Sequence, residues 1–186
     1  MGMIRPLFVE RTGGASQMKM FAGENFRMSE FTGAVLGAQL TKLDTMVGRM
    51  RASAESIYEG IRGVAGLRLR RRPDPGGDIG YGVFFQVKDK AMRDRCIAAL
   101  RQKKVPAGTL AGSVLLPTEE SVINKRTRHA NWPTFTSPEG KAIQYGADCC
   151  RQTLEVFDRF VQVRVGAKYT QRINDYIISA IREVVG

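Results

Sequence analysis

The stretch that decides the fold is SEFTGAVLGAQLTKLDTMVGRMRASAESIYEGI, residues 29–61. Within it Leu36, Leu40, Leu43, Val47, Met50, Ala54, Ile57 and Ile61 recur at alternating steps of four and three. That spacing lays one apolar stripe along one face of a helix. Ser29 is placed to cap its start, and Gly63 or Gly66 to stop it. At 1.5 Å per residue, roughly 32 residues would reach about 48 Å. A helix of that length exceeds what one small domain needs, and it predicts a strut joining two bodies or a coiled-coil-like contact. Gly33, Gly37, Ala34 and Ala38 leave its first turns almost free of bulk, so a backbone or a ligand can approach closely there. The division expected from this reading is an irregular segment over 1–24, a long connecting helix over 25–62, and an α+β domain over 63–186.

Past the helix, Leu67-Arg68-Leu69-Arg70 alternates like a strand with one buried face. Pro73 to Gly77 is a turn cluster. Tyr81 to Val87 reads as a strand, being rich in aromatic and β-branched residues. Ala91 to Lys104 reads as a helix with Met92, Cys96, Ile97 and Leu100 on one face. Val105-Pro106-Ala107 is extended, and Val114-Leu115-Leu116 is a candidate short strand. Residues 117–146 hold three prolines and no period, the mark of a functional or disordered loop. Thr153 to Phe160 reads as a short helix with Leu154, Phe157 and Phe160 inward, and Val161 to Val165 as a strand. Thr170 caps a last helix whose Ile173, Ile177, Ile181 and Val184 share a face. The expected class is α+β, a mostly antiparallel small sheet with helices on one face.

Composition narrows the rest. The chain has 186 residues, 43% of them hydrophobic, enough for a packed core. No apolar run approaches the roughly 18 residues that cross a bilayer. The segment Met1 to Gly14 lacks a signal-peptide core, and Pro6 stands where a myristoylation signal needs Ser or Thr. The three cysteines, Cys96, Cys149 and Cys150, give no disulfide framework and fit reduced thiols in a cytoplasm. With one histidine, His129, and no CxxC, no metal site is expected. No GxSxG elbow accompanies His129, which argues against a serine hydrolase.

The net charge is +11. Its excess is concentrated in residues 67–104, where 11 basic side chains meet 4 acidic ones, and Arg70-Arg71-Arg72 is the densest run. A nucleic-acid groove would interleave such charge with exposed aromatics. Tyr81, Phe84 and Phe85 sit in an apolar strand instead and are expected in the core. The basic run is expected as a solvated face, and nucleic acid is not the favoured partner.

Gly23-Glu24-Asn25-Phe26-Arg27-Met28-Ser29-Glu30 is followed by Ala34, Ala38-Gln39-Leu40 and Leu43-Asp44. In this order they resemble the G-x-N-x-R-M-S-E…A-x-x-x-A-Q-L-x-x-L-D segment of the DegT/DnrJ/EryC1/StrS aminotransferases. Cys149 to Leu154 resembles the family's C-P-x-T-x-x-L segment, with Cys150 where the family has proline. The loop at Asn131-Trp132-Pro133 resembles a subgroup acting on amino-sugar acids. The resemblance covers about residues 20–186. It implies the C-terminal small domain of a fold-type-I enzyme that uses pyridoxal 5'-phosphate (PLP), acting on a keto-sugar or sugar acid with an amino-acid donor.

The resemblance also assigns residues. Asn25 matches the asparagine that reaches the PLP phosphate of a neighbouring subunit in family dimers, and Arg27 the motif arginine beside it. His129, Asn131 and Trp132 fall in the family's variable substrate loop. Neither Lys19 nor Lys42 matches the position of the Schiff-base lysine. The expectation is that PLP is not held covalently by this chain alone and that the chain is inactive alone. Its expected partner is a second copy in a homodimer or a separate large-domain chain. The alternatives are a non-catalytic basic binding module, motivated by the charge at 67–104, or a truncated gene product.

Overall fold

The computed structural model describes residues 28–110, 115–127 and 133–186. Two helices open it, α1 (Glu30–Leu40) and α2 (Leu43–Gly60). Strands β1 (Arg68–Leu69) and β2 (Gly82–Gln86) follow, then α3 (Lys90–Gln102) and β3 (Ala107–Gly108). After a 3-10 turn at Leu116–Thr118 come α4 (Glu120–Ile123), α5 (Pro133–Thr136) and α6 (Pro138–Ala142). A second 3-10 turn, Ala147–Cys150, leads into α7 (Arg151–Arg159), β4 (Phe160–Arg164) and α8 (Gln171–Val185). The chain falls into two compact units, one from Met1–Glu30 and Ser113–Gln152, the other from Phe31–Gly112 and Thr153–Gly186.

The single helix expected from residue 29 is two helices. The Thr41 hydroxyl donates to the Ala38 carbonyl at 3.0 Å, and the Lys42 amide donates to the Gln39 carbonyl at 3.0 Å. These bonds tighten the last turn of α1 and interrupt the i to i−4 ladder, as a threonine that bonds back to its own helix does. The ladder resumes where the Met46 amide donates to Lys42. The apolar spacing continues through the break, so periodicity alone did not reveal it.

The second unit is an antiparallel sheet in the order β1-β2-β4-β3. Val83 pairs with Val163 and Phe85 with Val161. These four side chains join the core with Ala54, Ile57 and Ile61, with Cys96, Ile97 and Leu100, and with Ile177 and Ile181. Helices α2, α3 and α8 thus cover one face of the sheet, as the α+β expectation required. Each buried Val, Ile or Phe contributes about 1.5–3 kcal/mol. Phe84 and Phe160, also buried, lie outside that core cluster and stack on each other with ring centroids 5.6 Å apart.

Several boundaries differ from the sequence reading. Phe160 begins β4 rather than closing α7. Leu116 opens a 3-10 turn, not a strand. Thr170 holds the N-cap position of α8, but its side chain makes no capping bond. Ile173 is exposed, and Asn174 takes the buried place beside Ile177. Two glycines mark close approaches. Gly80 has φ +70°, and a Cβ there would stand 2.7 Å from the Arg51 backbone on α2. A Cβ on Gly60 would stand 2.4 Å from the Ile178 side chain of α8.

Candidate functional site

All five residues chosen from the sequence, Asn25, Arg27, His129, Asn131 and Trp132, lie outside the described residues. The described residues show what anchors the segments on either side of them. Met28 and Ser29 lead straight into α1, which starts at Glu30. The motif therefore ends at a helix N-terminus, where backbone N–H groups favour an anion.

The described residues on either side of 128–132 make contacts with one another within the first unit. Before it, Arg126 pairs with Glu120 of α4 at 2.8 Å. Lys125 adopts φ +52°, and its ammonium donates to the carbonyls of Gly140 and Lys141, at 3.0 and 2.6 Å. Those carbonyls belong to α6, whose last turn gains a cation. Ser137 caps the other end of α6 by accepting from the Gly140 amide at 3.0 Å. After the segment, the Phe135 ring meets Tyr145 edge-on at 6.0 Å. Lys125 stands 6.0 Å from the centre of the same Tyr145 ring. One short helix and one tyrosine thus tie together the described residues that precede and follow 128–132.

In the second unit the basic run is not simply a solvated face. Arg70 pairs with Asp78 and lies over the Phe84 ring, 4.7 Å from its centre. Arg72 pairs with Glu55 of α2 and lies 4.2 Å from the centre of the Tyr58 ring. Only Arg71 of the three is exposed. Arg51 donates to the Asp78 carbonyl at 2.6 Å and so fixes the loop before Gly80. The Arg72 guanidinium holds the Glu55 carboxyl below its ordinary value of 4.5. Burial pushes the Tyr58 hydroxyl up, although that oxygen accepts a 3.0 Å bond from the Phe84 amide.

Arg93, which no sequence pattern singled out, is 3% exposed in the first turn of α3. It donates to the Phe157 carbonyl at 3.0 Å and to Asp94 at 2.7 Å. A run of arginines looks alike in sequence whether it faces water or carboxylates, and only the fold brings Glu55 and Asp78 to meet it. Phe84 and Phe85 are buried as expected, but Tyr81 is exposed and meets Phe84 edge-on at 5.3 Å.

Cys149 and Cys150 close the second 3-10 turn, and the Cys149 thiol donates to the Gln144 carbonyl at 3.2 Å. Among the described residues no three His, Cys, Asp or Glu side chains gather as metal ligands. No helix among them is long and apolar enough to cross a membrane.

The comparison with known families settles the kinship. The DegT/DnrJ/EryC1/StrS aminotransferase family matches residues 7–127, well over half of the chain. This chain belongs to that family. Solved structures agree on the fold. The S. venezuelae protein DesV in complex with a ketimine intermediate is 20% identical, with a TM-score of 0.58, and the match covers 95% of this chain and 42% of DesV. A DegT DnrJ EryC1 StrS aminotransferase from Brucella abortus is 16% identical at a TM-score of 0.59, covering 93% of this chain and 40% of that one. The PLP-form of the sugar aminotransferase Spr1654 from Streptococcus pneumoniae is 12% identical at 0.59, covering 86% and 36%. This DegT/DnrJ/EryC1/StrS chain therefore spans less than half the length of the structures it matches. Its α+β fold is the fold of one part of those aminotransferases, as the resemblance implied.

Proposed function

We propose that the chain supplies the C-terminal region of a PLP-dependent aminotransferase that acts on a keto-sugar or sugar acid with an amino-acid donor. One observation carries this reading: the aminotransferase family matches residues 7–127, while the fold corresponds to only 36–42% of three solved relatives. In the reading, residues 25–62 connect a large domain to the small domain formed by 63–186. Bound PLP supplies an electron sink for the carbon that gains or loses the amino group. Asn25 and Arg27 hold its phosphate, the amide by hydrogen bonding and the guanidinium by a charge-assisted pair. His129, Asn131 and Trp132 contact the sugar from a loop anchored by Lys125 and Tyr145. The amine that binds the cofactor comes from a large domain on a separate chain, and the assembly works in the cytoplasm.

The purified chain, mixed with PLP and treated with borohydride, tests this division of labour. The expected result is no stoichiometric label on any one lysine and no amino transfer from glutamate to a keto-sugar. A stoichiometric adduct at one lysine, with turnover, overturns the claim that this chain is inactive alone. Adding a lysine-bearing large domain of the family as a separate polypeptide is expected to restore transfer, and Asn25→Ala to weaken PLP retention in that mixture.

A further inference from the structure

Two thiols stand side by side in the 3-10 turn Ala147–Cys150, which buries none of its residues. Cys149 is exposed and Cys150 half-buried. Cys150 stands where the family segment it resembles has proline, so the second thiol is a departure from the family. The Cys149 thiol donates to the Gln144 carbonyl at 3.2 Å, and the Cys149 amide donates to the Gly146 carbonyl, also at 3.2 Å. Nothing lies within 4 Å of the space a side chain would take at Gly146, which precedes the turn. A turn with so little packed against it opens locally at low cost.

Local geometry couples oxidation of the pair to that opening. A 3-10 helix has about three residues per turn, so side chains on adjacent residues point roughly 120° apart. Adjacent Cα atoms are about 3.8 Å apart, closer than the ~4.4–6.8 Å of ordinary disulfides. The two sulfurs therefore bond only when the backbone leaves the turn conformation. We propose that Cys149 and Cys150 are a reversible modification site for a low-molecular-weight disulfide, closing to a vicinal disulfide that opens the turn ahead of α7. The Cys149 thiolate attacks one sulfur of the external disulfide, forming a mixed disulfide and releasing one thiolate. The Cys150 thiolate then attacks the Cys149 sulfur and expels the second. Two thiol protons and two electrons leave the chain, and the external disulfide becomes two thiols. Cys149 attacks first because it is the exposed one, and Cys150 resolves because one peptide bond holds it at the mixed disulfide. The closed ring is strained, and strained disulfides are the readily reduced, regulatory kind. Cys96 takes no part, being fully buried. The inference is independent of the aminotransferase reading, because both sulfurs belong to this chain.

Glutathione disulfide in excess over the reduced full chain tests it, read by mass on the tryptic peptide 142–151, which carries both cysteines. The expected product lacks two hydrogens, carries no glutathione and reverts with dithiothreitol. Cys150→Ser and Cys150→Pro, the second giving the residue of the family segment, are expected to keep glutathione on Cys149 about tenfold longer or more. Hydrogen exchange over 146–151 is expected to quicken when the parent chain is oxidised. A mixed disulfide that persists in the parent chain overturns the proposal. So does a disulfide between two copies, or a vicinal disulfide that leaves exchange at the turn unchanged.

Discussion

Arg72 and Glu55 face each other side by side, both terminal nitrogens of the guanidinium donating to the carboxylate. The pair joins the segment after β1 to helix α2, and the Tyr58 ring one turn along α2 closes it from the side. Arg72 is largely buried while Glu55 is half-exposed, so the arginine has more to lose. Glu55→Gln removes the charge from a guanidinium that cannot return to water and is expected to cost about 1–2 kcal/mol. The pH dependence follows from the lowered carboxyl pKa. Stability from the pair is complete above the ordinary 4.5 and declines as pH falls through the lower folded value. Urea unfolding of both proteins against pH checks this: the gap between them should close on acidification and stay constant from neutral pH upward.

Gly80 sits where the loop after β1 crosses α2. Its φ of +70° and the 2.7 Å approach to Arg51 act together, so Gly80→Ala meets both backbone strain and a backbone clash. The expected loss is more than about 2 kcal/mol. Gly33→Ala, on open helix, is expected to raise helix propensity by about 0.8–1 kcal/mol with no clash in its own chain. Thermal unfolding of the two variants should move in opposite directions, and equal shifts would remove the close-approach explanation.

Arg93 makes a third test, because it ties α3 to the end of α7. Its guanidinium donates to the Phe157 carbonyl, and Asp158 stands 3.5 Å away at the edge of the same group. Arg93→Met keeps the apolar stem and removes the donors, leaving the Phe157 carbonyl without this partner. The expected loss is about 1–3 kcal/mol. Hydrogen exchange should quicken first at the α7–β4 junction, and a uniform change across the unit would argue against a local tie.

These residues also show what the sequence made legible. The strand at 81–87 and the helix at 91–104 were read within a residue or two, because alternation and the three-four spacing report burial directly. Arg93 escaped, because a long polar side chain on the helix flank gives no periodic signal, and its partners besides Asp94 lie 64 and 65 residues away. The break at Thr41 escaped because the stripe Leu36, Leu40, Leu43 spans it without a missed step. The family motif at 23–30 was legible as a pattern of residue types. The geometry of Asn25 and Arg27 was not, since spacing along a chain says nothing of where an amide and a guanidinium converge.

The cysteines offer the last test, since the fold separates them sharply. Cys96 is fully buried on α3, and burial pushes its thiol up to about 11, whereas Cys149 is exposed. The thiolate is the reactive form, so Cys96 is protected both by burial and by protonation. A disulfide-exchange reagent at pH 8 should modify Cys149 promptly and Cys96 only at the rate of unfolding, with peptide mapping to separate them. The shift also sets a limit at high pH. In the unfolded chain the thiol ionises from about 9, in the folded chain from about 11, so the folded state holds more protons across that window. Stability therefore falls as pH rises from 9 towards 11, by up to about 3 kcal/mol from this one group. Cys96→Ala starts less stable because it leaves a cavity, but it should lose this alkaline slope. Parallel slopes for the two proteins between pH 9 and 11 would sink the assignment.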